Sequence, residues 1–531
     1  MSGDLFPNTV SQFSLISKGE PILLIISLVL LVFMGVLTAR ETARQLGGIK
    51  RNYWLVFATV LAAATIFRIA AVPLTNRVYF DEDLYLNTGK NIAESLRACM
   101  CNAAFETNGC SDCILNKAPS AHPFVLSIFS LFFGIGRAHF LNSLIVPTLS
   151  ILLVFLCGYL LFNSARAGVL AAVFASTIPV FLEWSMTAAA EPTVFFFSLL
   201  SLFILLLFSR TRRSAFLFAL ACSLSFLAQA KAEGILFVPV FALGLLILNG
   251  RKLLRKIIPI LLAAALFFLL SSVSLYHVYI AGKNSNWGAD TSAKFSVESF
   301  KTNLPINSRF LLFGYPGIAH PFILTISALA GLVLLLALPG RRGAAVFLLT
   351  WFLSFFFLYC SFYAGSVRYG TDVRYALAYY PALTLLAAAI GSKFSWKGLA
   401  IFSLVIIGSF AFNSLSQVTT PAEKIAEAKL ARDYKTFVFG ADLPRNCTIA
   451  SHVTSIYNDL GIPTVQPWYL EDPSLLSKTR EKRECLLFDY GFWCAVPPFK
   501  DDQCARLISR IGAEKVISDS AGTFGYYSLG T

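Results

Sequence analysis

The run Phe80-Asp81-Glu82-Asp83-Leu84-Tyr85 opens a polar, cysteine-rich interval, and beyond it the chain from Leu115 to Ile280 holds only three acids, Glu183, Glu191 and Glu233. Long apolar runs broken by short basic gaps are the pattern of a bundle of membrane helices. Acids gathered at a few points against that background suggest a site at a membrane surface.

Composition points the same way. The 531 residues are 56% hydrophobic and only 14% charged, more apolar than a soluble core can hide. The sequence is read as a polytopic α-helical membrane protein of about twelve spanning helices with a small C-terminal α/β domain. Spans are expected near residues 22–38, 54–72, 141–162, 168–183, 191–208, 215–230, 234–249, 257–277, 319–338, 344–363, 376–391 and 398–416. The run from His122 to Gly134 is short for a span and suits a re-entrant or interfacial helix. A net charge of +14 would suggest nucleic acid in a soluble protein. Here Lys and Arg fall in alternate connectors, as the positive-inside bias requires, so no nucleic-acid partner is expected. That bias places the N-terminus, the loop 73–140 and everything after residue 417 on the extracytoplasmic face of a cell membrane.

Three units follow: 1–50, an extra N-terminal anchor and connector; 51–420, a transmembrane domain; and 421–531, a soluble domain. In the last, strands are expected at Cys447–Ser451, Pro463–Gln466, Cys485–Asp489 and Lys515–Ser518, with helices at Thr454–Leu460 and Ala505–Ile511. Eight of eleven cysteines sit in two groups on the expected outer face: Cys99, Cys101, Cys110 and Cys113, then Cys447, Cys485, Cys494 and Cys504. Even numbers on an oxidising face favour disulfides, with a four-thiolate zinc site as the rival for the first group.

The charged residues each carry two readings. Asp81, Glu82 and Asp83 could hold a divalent cation or take a proton from a sugar or protein hydroxyl; otherwise they form a solvated turn. Glu191-Pro192 opens a helix, where an acid complements the dipole and proline suits the first turn. Lys231 and Glu233 lie in a tight turn and could simply pair. Yet ionisable groups converging at a membrane boundary invite a shared anionic ligand, and Lys117, His122, Arg368 and Arg374 add positive or switchable charge on that face.

The order of these motifs resembles a known family. Phe80-Asp81-Glu82-Asp83-Leu84-Tyr85, then Lys117-Ala118-Pro119-Ser120-Ala121-His122-Pro123-Phe124, then Ala190-Glu191-Pro192 opening a Phe-rich helix are similar to the GT-C glycosyltransferases. The narrower likeness is to dolichyl-phosphate-mannose protein mannosyltransferases and lipid A aminoarabinose transferases, with weaker echoes at Val373-Arg374-Tyr375-Ala376-Leu377. The resemblance implies an inverting enzyme that moves a sugar from a polyprenyl-phosphate donor to a protein, lipid or glycan acceptor. It gives Asp81 the role of general base, with Glu82 its acidic neighbour and Glu191 organising the site. Lys117, His122, Lys231 and Arg374 would surround the donor phosphate. Ala118, the extra N-terminal helix and the cysteine-stapled loop depart from the family pattern. A lipid-linked sugar transporter and a non-catalytic envelope scaffold are the competing classes.

Overall fold

A computed structural model describes residues 10–72, 81–105, 110–116, 118–284, 294–315, 319–367, 371–419, 426–444, 446–482, 485–495 and 504–528. Its helices run α1 Val10–Leu46, α2 Arg51–Ala71, α3 Asp81–Ser95, α4 Ala121–Phe133, α5 Ile135–Phe162, α6 Ala165–Ser176, α7 Pro179–Ser185, α8 Glu191–Thr211, α9 Ala215–Ala230, α10 Phe237–Asn249 and α11 Ile257–Asn284. They continue with α12 Val297–Phe313, α13 Phe322–Ala337, α14 Arg342–Ser361, α15 Tyr380–Ala388, α16 Trp396–Asn413, α17 Leu415–Thr419, α18 Ala426–Gly440 and α19 Thr454–Asp459. Every expected span holds a helix. Among the described residues eight are long and apolar enough to cross a bilayer, or nine if the pair α6 and α7, bent by 64°, is one span. The helices α4, α9 and α13 are apolar but shorter.

Basic connectors serve the end of the bundle away from the first loop. Arg341 donates to the carbonyls of Leu161 and Phe162, and Arg210 to that of Leu160, so guanidinium groups satisfy the open C-terminus of α5. The short helix α4 buries its first two turns, but Leu131, Phe132 and Phe133 are exposed. That suits an interfacial position.

Proline shapes α1. Pro21 has no N–H, so the Ser17 carbonyl loses its usual partner four residues on. It accepts instead from the Ala98 N–H, at 2.7 Å, in the cysteine-rich loop.

The loop and the tail build one sheet. Strands β1 Met100–Ala104, β2 Asp112–Ile114, β3 Cys447–Ala450, β4 Thr464–Val465, β5 Cys485–Tyr490, β6 Glu514–Ser518 and β7 Gly525–Ser528 lie in the order β2-β1-β4-β3-β5-β7-β6. The strand pair β1–β2 comes from the first loop, and β1 runs antiparallel to β4 of the tail. All eight outer cysteines are paired: Cys99–Cys113, Cys101–Cys110, Cys447–Cys485 and Cys494–Cys504. The zinc alternative for the first group is therefore overturned. Cys157, Cys222 and Cys360 are buried free thiols, as apolar fillers should be.

Polar bonds fix the tail to α3. The Asn87 amide donates to Asn458 Oδ1 at 2.8 Å and to Asp459 Oδ1 at 2.9 Å, Lys90 Nζ donates to the Asn458 carbonyl at 2.8 Å, and Thr454 Oγ1 donates to the Cys101 carbonyl at 2.7 Å. The tail thereby holds the helix that begins at Asp81.

Candidate functional site

Asp81, Glu82 and Asp83 form the first turn of α3, where carboxylates suit the positive end of the helix dipole. Neighbours on a helix point about 100° apart, so the three acids diverge. Asp81 Oδ2 lies 3.6 Å from Arg374 Nη2 and its side chain stays 46% exposed. Glu82 is buried and accepts from the Ala188 N–H at 2.8 Å. Asp83 pairs with Lys435 of α18 at 2.8 Å. The expected cation trio of Asp81, Glu82 and Asp83 is thus corrected, because their carboxylates do not converge. Among the described residues one group of three potential metal ligands comes close together, His452 with Cys494 and Cys504, and those two sulfurs are joined in a disulfide.

A second, denser cluster faces Asp81. Pro192 sits in the first turn of α8 and leaves Glu191 at its N-terminus. Glu191 Oε1 is 2.9 Å from Lys231 Nζ and 3.1 Å from Arg374 Nε, while Lys231 also reaches Glu233 Oε1 at 2.8 Å. Lys231 can lie there because the turn after it is tight: a Cβ on Gly234 would stand 2.1 Å from the Leu227 carbonyl oxygen, so glycine is required. Burial alone would lower the pKa of Lys231, but Glu191 and Glu233 hold it above the ordinary lysine range. Arg374 behaves alike, burial being outweighed by Glu191, Tyr375 and Asp81.

Aromatic rings line these cations. Lys231 Nζ lies 4.4 Å from the centre of the Tyr375 ring, Tyr359 stacks on Tyr375 at 5.1 Å, and the Arg374 guanidinium is 5.3 Å from Trp184 and 5.5 Å from Tyr375. Tyr359 donates to Glu233 at 3.4 Å. Rings hold charged side chains in place while keeping water off their faces.

His122 lies near enough to Glu191 to feel its charge but makes no ion pair with the cluster. Its Nε2 meets the Ala188 carbonyl at 2.7 Å, which can only accept, so that nitrogen carries the proton; Nδ1 then accepts from Thr193 Oγ1 at 2.9 Å. Burial pushes its pKa down to about 4. A neutral ring with both nitrogens engaged braces Ala188, whose N–H binds Glu82, and does not offer a phosphate the charge expected of it. Lys117 and Arg368, the other expected cations, lie outside the described residues.

The structure therefore brings together Asp81, Glu191, Lys231, Glu233 and Arg374, gives Glu82 and Asp83 other partners, and sets His122 beside the Glu191 end of α8 without an ion pair to the cluster. Trp184, Tyr359 and Tyr375 were not foreseen as parts of the site. Only the adjacency of Tyr375 to Arg374 gave a local hint.

The comparisons with known proteins agree with this architecture. Residues 117–277 match the family model described as dolichyl-phosphate-mannose-protein mannosyltransferase. No curated protein matches the sequence. The solved structure of ArnT from Cupriavidus metallidurans in the apo state is similar with a TM-score of 0.58 at 12% identity, covering 90% of this chain and 98% of that one. The same protein bound to undecaprenyl phosphate gives 0.54 at 13% identity, covering 91% and 98%. The oligosaccharyltransferase of Archaeoglobus fulgidus in the apo form gives 0.50 at 13%, covering 90% and 74%. The chain is thus a polytopic membrane protein of the GT-C fold with a small C-terminal sheet domain. The mannosyltransferase family model matches residues 117–277, about three-tenths of the chain, and the solved structures share its fold.

Proposed function

We propose that the protein transfers a sugar from a polyprenyl-phosphate donor to an acceptor hydroxyl on the extracytoplasmic face, with Asp81 as the general base. One observation carries this reading. Of the acids at the cluster, Asp81 alone is half exposed, with Oδ2 3.6 Å from Arg374, whereas Glu191 is buried under two cations. A base must reach its substrate; an organising acid need not. The undecaprenyl phosphate held by ArnT supports the donor class.

In the step proposed, Asp81 takes the acceptor proton and the acceptor oxygen attacks the anomeric carbon. The bond from that carbon to the phosphate oxygen breaks on the opposite face, and its electron pair leaves with polyprenyl phosphate, giving inversion. Arg374 and Lys231 offset the charge growing on the phosphate. Glu191 keeps both cations aimed, and no nucleotide takes part. The sugar is a hexose or a related unit, with mannose suggested by the family description.

The test is purified protein in nanodiscs with a labelled polyprenyl-phosphate hexose and a mixed acceptor pool. Wild type should release free polyprenyl phosphate, and D81N should lose roughly 100- to 10,000-fold of that rate while unfolding at the same temperature. In proteoliposomes, labelled donor crossing the bilayer without release would favour a transporter, and undiminished turnover by D81N would refute Asp81 as the base.

A further inference from the structure

The stretch 186–190 joins α7 to α8 without regular structure, yet every residue in it is buried. Irregular backbone inside a membrane bundle leaves peptide groups stranded unless side chains from other elements meet them. Three do so here. Ser143 of α5 reaches the Thr187 carbonyl at 3.1 Å, Glu82 of α3 accepts from the Ala188 N–H at 2.8 Å, and His122 of α4 donates through Nε2 to the Ala188 carbonyl at 2.7 Å. Two different helices thus hold the two backbone groups of Ala188.

The ends of the stretch explain why its position matters. Trp184, shortly before it, lies 5.3 Å from the Arg374 guanidinium, and Glu191, next after it, meets Arg374 Nε at 3.1 Å. His122 also reaches past that acid, because its Nδ1 accepts at 2.9 Å from Thr193 Oγ1 in the first turn of α8. Glu82 is the direct neighbour of Asp81, and Tyr85, one turn further along α3, packs edge-on against the imidazole at 5.1 Å. One ring therefore connects the turn that ends in Glu191 with the turn that carries Asp81, and Ala188 is where they meet.

We infer that His122 is a positioning residue for transfer: by holding the Ala188 carbonyl it fixes the stretch 186–190, and so sets the spacing between Asp81 and the Glu191–Arg374 pair. This rests on the reading of Asp81 as the base. The task needs one nitrogen that donates and one that accepts, which a neutral imidazole supplies and a charged one does not.

The test uses the full chain in nanodiscs with a labelled polyprenyl-phosphate hexose. H122N keeps a polar group near Thr193 but is too short to reach Ala188, whereas H122Q brings an amide N–H to the place of Nε2. H122N should lower kcat roughly ten- to hundred-fold, the scale of a reacting group displaced by about 1 Å, with donor KM unchanged. H122Q should recover most of that loss. Amide exchange over residues 186–190 should quicken in H122N and stay slow in H122Q. S143A, which removes the grip on Thr187, should lower kcat in the same sense and serves if H122N does not fold. Unchanged kcat in both H122N and S143A, H122Q as slow as H122N, or a rise in donor KM at constant kcat, the mark of a phosphate ligand, would overturn the inference. Wild type that binds the donor but transfers nothing would sink the transferase reading, and exchange over 186–190 would still decide whether His122 holds the stretch.

Discussion

Arg374 Nη2 stands 3.6 Å from Asp81 Oδ2, while the Nε of the same guanidinium is held 3.1 Å from Glu191. The distance to Asp81 is an ion pair and not a hydrogen bond. The buried acid therefore aims the arginine, and the half-exposed acid presents a face that an incoming hydroxyl can reach.

A lysine at 374 cannot span both carboxylates, because one ammonium replaces a planar fork. R374K should fold and lower kcat/KM for transfer by roughly ten- to hundred-fold, the scale of losing a charge-assisted contact. Steady-state kinetics with labelled donor checks it; wild-type kinetics in R374K would show that the fork is idle.

Lys231 is shared between two acids, so its loss strands charge. K231M should destabilise by about 3–5 kcal/mol, the usual effect of removing one member of a buried pair. Because Glu191 still has Arg374, the orphan is Glu233. The double variant K231M/E233Q should recover part of the lost melting temperature, measured on detergent-solubilised protein, whereas strictly additive losses would contradict the coupling.

Lys435 Nζ contacts both oxygens of Asp83, at 3.0 and 2.8 Å, joining α18 to the first turn of α3. K435A leaves a buried carboxylate without its cation. Faster amide exchange over residues 81–95, with slower transfer, is the expected result. Unaltered exchange there would show that the tail holds α3 by its other bonds alone.

Stability should fall as pH rises through the acid range. Burial pushes the Asp489 carboxyl up to about 6, despite hydrogen bonds from Ser451 and Tyr434. Its folded pKa thus exceeds the unfolded value of about 3.9. Between those values the unfolded chain loses its proton first, so the group's contribution is complete below about pH 4, declines toward pH 6 and is constant above. Over two pH units the change is about 3 kcal/mol. The melting temperature of the isolated wild type should show this decline, and D489N should make it shallower.

Much of this architecture could be read from residue order. Apolar runs of near-spanning length marked the membrane helices, and the tail strands at Cys447, Cys485 and Lys515 fell within a residue or two of expectation. The short strands β1, β2 and β7 were missed because Met100–Ala104 and Asp112–Ile114 carry little β-branched content, and their pairing partner lies far along the chain. The acids at 81–83 were legible as a cluster but not as a helix turn, and only the turn explains their three separate partners. Lys435 and Trp184 gave no local signal. Their roles come from neighbours distant in sequence.

The pairing of β1 with β4 sets an order of events during synthesis. Asn87 meets Asn458 across 371 positions, so a ribosome must deliver all of the intervening chain before the early hairpin gains its neighbour. Until then an open strand edge waits beside the membrane, exposed to wrong partners and to chaperones. Substitutions at Thr464 or Asn458, far downstream of Asp81, therefore reach the helix that begins there through the sheet and the amide contact.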